Sequence, residues 1–156
     1  MTKTNAMRIL DKEKIPYEEK TYEVDEEDLS GVHVAEQIKV ACNLLFKTIV
    51  GKGDKTSYIV LVIPVDKEID LKKAAKASSN KSIELLHVKD LLPITGYIRG
   101  GCSPLGMKKQ FVTYVDDSAQ TLDKMYISGG KRGLQIVLKP DDLIRASKAK
   151  YASLCK

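Results

Sequence analysis

Residues 44–65 read LLFKTIVGKGDKTSYIVLVIPV. Two β-rich runs flank a turn built of Gly, Lys and Asp, the pattern of a hairpin. The second run, Tyr58 to Val65, is apolar nearly throughout, which predicts a strand covered on both faces at the centre of a sheet. Lys47 interrupts the first run. A charged side chain at that place either points to solvent or faces an anionic partner, because burying it unpaired is costly. Thr48 takes the opposite face unless the strand twists or ends there.

Working outward from the hairpin, Thr4 caps a helix carrying Met7 and Leu10 that ends before Pro16. A polar strand is expected over residues 17–24, and Ser30 caps a second helix with Val32, Ala35 and Ile38 on one face. Downstream, Asp70 caps a helix over residues 71–79, residues 82–88 read as a strand, and residues 89–95 as a short helical or turn segment broken at Pro93. Three short strands follow at residues 111–116, 124–128 and 134–139. Pro140 then opens a closing helix expected to run to Leu154, with Leu143, Ala146, Ser147, Tyr151 and Leu154 facing inward. This mixture of hairpins and helical crossovers predicts an α+β fold around a mixed, curved sheet. Neither G-x-G-x-x-G after a strand nor G-x-x-x-x-G-K-[ST] occurs, so neither a Rossmann fold nor a P-loop is encoded.

The 156 residues, 43% hydrophobic and 30% charged, suit one soluble domain with a core of its own. No apolar run approaches the roughly 20 residues of a membrane helix. The opening residues lack the apolar core and cleavage site of a secretory signal, so a cytoplasmic protein is expected. Cys42, Cys102 and Cys155 form no C-x-x-C, and His33 and His87 are the only histidines, so no disulfide framework, metal site or cofactor is expected. A net charge of +5 favours approach to a polyanion such as RNA.

Two glycine-rich segments carry the candidate chemistry. In residues 96–111, GYIRGGCSPLGMKKQF, Cys102 is either a nucleophile, which would need a base such as His87, or a small buried side chain. Gly100 and Gly101 let the main chain approach a ligand and aim N–H groups at an oxyanion, or else form an ordinary turn. Residues 127–136, ISGGKRGLQI, place Lys131 and Arg132 on a tight hairpin that could hook phosphate or simply be solvated. Together with Lys108 and Lys109 they make two basic glycine loops in one small domain, which favours ligand binding.

The motifs FKT at 46–48, GYIRGGCSPLGMKK at 96–109 and YISGGKRGLQI at 126–136 resemble the YbaK/EbsC family of Cys-tRNA(Pro) and Cys-tRNA(Cys) deacylases, relatives of the editing domain inserted in some prolyl-tRNA synthetases. The likeness spans nearly all of residues 1–156. It implies a single α+β domain with a barrel-like sheet flanked by helices, and hydrolysis of the ester between a mischarged amino acid and the tRNA 3′ end. By that resemblance Lys47, Gly100 and Gly101 are the catalytic candidates, and Tyr22, Thr48, Ser128 and Gln135 the substrate-binding ones; some members carry Asp where this chain has Gln135.

The family's chemistry needs no enzyme nucleophile. The substrate's own thiol attacks its ester carbonyl and releases tRNA as a cyclic thioester forms. Lys108, Lys109, Lys131 and Arg132 are candidates for tRNA backbone contacts, and prolyl-tRNA synthetase is an expected partner. Two competing readings are a non-catalytic RNA- or nucleotide-binding module and a Cys102 thiol hydrolase.

Overall fold

The structure, a computed structural model, describes residues 2–156. The expected hairpin forms from β2 (Phe46–Gly53) and β3 (Tyr58–Pro64), paired antiparallel from Phe46 opposite Pro64 to Lys52 opposite Tyr58. Every residue of β3 after Tyr58 is buried. The reason lies in its two faces. Val60 and Val62 join the main core, with Phe46, Val50, Leu105 and Ile127. Ile59, Leu61 and Ile63 join a second cluster with Ala74, Ala75 and Leu154. Each such fully buried aliphatic side chain contributes about 1.5–3 kcal/mol relative to exposure.

The helices are α1 (Asn5–Lys12), α2 (Gly31–Ile38), α3 (Leu71–Ala77), α4 (Val88–Thr95) and α5 (Pro140–Ser147). Their predicted caps are in place. Met7 N–H donates to Thr4 Oγ1, His33 N–H to Ser30 Oγ, and the N–H groups of Lys72 and Lys73 to Asp70 Oδ1. The remaining strands are β1 (Glu18–Thr21), β4 (Ile83–Leu85), β5 (Val112–Asp116), β6 (Met125–Ser128), β7 (Leu134–Leu138) and β8 (Lys150–Ala152).

They form a five-stranded mixed sheet, β4-β2-β3-β5-β8, and a three-stranded antiparallel sheet, β1-β7-β6. The main core packs between the two, drawing Val60 and Val62 from one and Ile127 and Ile136 from the other. A single parallel bridge, Leu45 to Tyr126, joins their backbones. The sheets therefore curve around the core without closing into a barrel.

Three expectations require correction. The closing helix stops at Ser147, because Lys148 turns left-handed at φ 58°, and the chain re-enters the sheet as β8, parallel to β5. Tyr151 and Leu154 reach the interior from a strand and the segment beyond it. This tail is sewn in from afar: Leu154 N–H donates to Asp116 Oδ1 at 3.0 Å, and the Leu154 carbonyl accepts from Asp70 N–H at 2.7 Å. Pro93, for its part, does not break α4, which continues to Thr95 and ends at a left-handed Gly96. So near the helix end its missing N–H forfeits one ladder bond, to Lys89. The strand expected over residues 82–88 shrinks to β4, and His87 becomes the N-cap of α4.

Candidate functional site

A cleft of about 370 Å³ opens where the two sheets meet. Its position follows from the pairing of β2. One edge of β2 pairs with β3 along its length, while the other touches β6 at Leu45 and β4 only from Gly51 onward. Between those points the edge is open, and Phe46, Lys47, Thr48 and Ile49 line the cleft along it. The side chains do alternate as expected, Phe46 and Val50 entering the main core and Ile49 the second cluster. Because the cleft wraps the edge itself, Lys47 and Thr48 both reach it from opposite faces.

The other walls come from distant parts of the chain. Tyr22 follows β1 and is held by its N–H donating to the Gly133 carbonyl at 2.9 Å. Ser128 and Gln135 are cross-strand partners on β6 and β7, so their side chains share a face. Gly100 and Cys102 contribute from the glycine loop, and Leu29 to Val32 with Val34 from the start of α2. Tyr22, Lys47, Thr48, Gly100, Ser128 and Gln135 thus converge on one cavity. Gly101 lies outside it. Its N–H closes a turn onto the Ile98 carbonyl at 2.9 Å, and a Cβ there would sit 3.0 Å from Lys131 Cα and Arg132 N. Gly100, at φ +85°, is the turn residue that only glycine adopts without strain.

The polar side chains of the lining are two cations, one amide and the hydroxyls of Tyr22, Ser30, Thr48 and Ser128. Lys47 and Arg99 face the cleft, and neither is ion-paired among the described residues. Among the same residues no Asp, Glu or His lines it. Thr48 Oγ1 and Gln135 Oε1 are buried without a hydrogen-bond partner, and Gln135 is only 5% exposed. Leaving such an atom unsatisfied costs about 1–3 kcal/mol, so both are groups that a ligand would complete.

Cys102 is ill suited to attack. Burial pushes its thiol up to about 12, which leaves almost no thiolate near neutrality. His87 is exposed at the head of α4, and His33 faces the Asp25 carboxylate at 3.1 Å.

The basic candidates divide. Lys108, Lys109 and Lys131 are exposed, with Lys108 Nζ donating to the Pro93 carbonyl at 3.3 Å. Arg132 is engaged within the fold: Nε donates to the Arg99 carbonyl at 2.8 Å and Nη1 lies 3.4 Å from Glu26 Oε2. Arg99, Leu91 and the start of α2 escaped the sequence reading. Proximity in space singles out Leu91 and the start of α2, whereas Arg99 stands in the glycine segment beside Gly100 and was passed over there.

Fold and cleft find their counterpart among the domains that edit aminoacyl-tRNA. The model of the aminoacyl-tRNA editing domain matches residues 28–146, and the chain belongs to that family. Among its relatives is EbsC of Enterococcus faecalis strain V583, provisionally described as a Cys-tRNA(Pro)/Cys-tRNA(Cys) deacylase, which is 49% identical over 97% of this chain and 93% of its own. A proline–tRNA ligase of Brachyspira hyodysenteriae is 29% identical over 54% of this chain, a stretch that makes up 15% of the ligase. A solved structure described provisionally as a trans-editing enzyme for prolyl-tRNA synthetase shares the fold at a TM-score of 0.82 and 17% identity, covering 100% of this chain and 99% of its own.

Proposed function

We propose that this protein is a deacylase that removes cysteine mischarged onto tRNA(Pro), and from tRNA(Cys), with the substrate's thiol as nucleophile. One observation carries the reading: the cleft offers cations, an amide and hydroxyls but no carboxylate, imidazole or competent thiol among the described residues. A site so equipped can orient a reactant and stabilise charge but offers no ordinary base to activate a hydroxyl or a water, which favours an attacking group that arrives with the substrate.

In this mechanism the cysteinyl sulfur adds to the ester carbonyl carbon. The bond from that carbon to the ribose 3′ oxygen then breaks, the oxygen leaves with the thiol proton, and water later opens the cyclic thioester to free cysteine. Lys47 and the Gly100 N–H sit where they can stabilise the carbonyl oxygen as it gains charge. Thr48, Gln135, Ser128 and Tyr22 bound a small polar pocket for the aminoacyl group. Gly101 contributes by allowing the glycine loop to lie against the Lys131–Arg132 backbone.

Lys108, Lys109 and Lys131 are placed to meet tRNA phosphates. The likeness to a proline–tRNA ligase supports that enzyme as the recruiting partner, and work on charged tRNA would suit a cytoplasmic protein. The need is physical, since a pocket sized for proline rejects cysteine by only about 1–3 kcal/mol and a second site must remove what the first admits.

The test is single-turnover deacylation of Cys-tRNA(Pro) beside Ser-tRNA carrying the same acceptor end. Release of cysteine alone supports the reading. Equal release of both sinks thiol assistance, and release of neither sinks the enzyme.

A further inference from the structure

Arg132 belongs to the β6–β7 turn, whose two roots, Ser128 and Gln135, form one wall of the cleft. Its guanidinium reaches away from that wall in two directions. Nε donates to the Arg99 carbonyl, at the turn where Gly100 presents the opposite wall. Nη1 meets Glu26, in the segment leading to Leu29 and Ser30, which form the rim at α2. The fit is close along the whole side chain. A Cβ on Gly100 would stand 3.4 Å from both Arg132 Cγ and Nε, and one on Gly101 would stand 3.0 Å from the Arg132 backbone nitrogen.

We infer that Arg132 is a positioning residue, a three-way tie that fixes the Gly100 amide at a set distance from Ser128 and Gln135, rather than a contact to tRNA phosphate. The inference rests on the deacylase reading for its kinetic consequence, but its structural content is independent of it. Three features carry it. The directional Nε bond is made to a main-chain carbonyl inside the glycine loop. The ion pair draws in the third wall. The side chain is only 27% exposed, whereas Lys131 beside it is exposed and free to meet a polyanion. A carbonyl held by a planar donor fixes the peptide plane that follows it, and that plane carries the Gly100 N–H. A lysine keeps the charge and loses that directed bond.

Arg132→Lys therefore separates the two roles. The tie predicts a single-turnover rate at saturating Cys-tRNA(Pro) at least about tenfold lower, the equivalent of one hydrogen bond in the transition state. It also predicts tRNA affinity and its salt slope unchanged, and faster hydrogen exchange at the Gly101 amide that closes the turn. A phosphate contact predicts the reverse: Arg132→Lys retains the rate, and Arg132→Ala lowers the salt slope by about one. Either of those results overturns the proposal. Should Arg132→Lys fail to fold, Glu26→Gln loosens the same tie from an exposed residue, and unchanged Gly101 exchange in that variant overturns it too. Because amide exchange needs no substrate, a protein that left Cys-tRNA(Pro) intact would refute the deacylase reading while the tie was still judged on its own.

Discussion

Thr48 Oγ1 and Gln135 Oε1 are held in the fold at a cost, because each is buried and unpartnered. Replacing either with an apolar residue of similar shape removes that cost together with whatever the atom does for a ligand. Thr48→Val and Gln135→Leu should accordingly keep or raise stability, by up to about 1 kcal/mol, while slowing deacylation at least about tenfold. Urea midpoints and single-turnover rates measured on the same preparations check both halves, and a variant that loses stability contradicts the assignment. Cys102 makes the opposite case. Cys102→Ala should leave the rate unchanged, and its signature should appear in stability against pH. Burial raises the thiol to about 12 from an ordinary value near 9, so the folded state holds a proton there that the unfolded chain gives up. That contribution is complete below about pH 9 and declines as pH rises toward 12. Burial raises Tyr97 to about 12 in the same sense. The melting temperature should thus fall with rising pH above about 9, less steeply in Cys102→Ala.

Among the elements, the hairpin and the helix starts were readable because their causes are local. Alternation and a turn specify β2–β3, and one side-chain oxygen specifies each cap at Thr4, Ser30 and Asp70. The end of α5 was not readable. Nothing in SKAKYASL forbids a further helical turn, and what stops it is pairing with β5 and the distant Asp116 carboxylate. The same holds in the cleft. Lys47, Gly100, Ser128 and Gln135 lie in motifs whose likeness to the editing family could be seen, whereas Leu91 and the rim of α2 depend on which segments the fold brings together. The helix end offers its own check. Lys148 is exposed and left-handed at φ 58°, where a Cβ is strained. Lys148→Gly should stabilise the protein by about 0.5–1 kcal/mol, and Lys148→Val should destabilise it, both visible in urea unfolding.

Across the whole molecule, the net charge of +5 is modest, so attraction to tRNA depends on where exposed cations stand. If Lys131 meets phosphate, Lys131→Ala should lower the salt slope of tRNA binding by about one and leave the rate at saturation intact; a lowered saturating rate would instead place it among the groups that shape the cleft. The relation of the two sheets rests on one backbone bridge and a shared core, and short-range sequence patterns do not encode that relation. It is also what leaves the edge of β2 away from β3 without a strand partner between the Leu45 bridge and β4. A bare strand edge is an invitation to another chain, and a lysine set along it is a common deterrent to self-association. Lys47, which lines the cleft, should on this argument guard solubility as well. Removing its charge should promote sticking of one copy to another, seen as concentration-dependent light scattering in Lys47→Ala and absent in Lys47→Arg, so any activity of the alanine variant is best measured on its freshly isolated monomer.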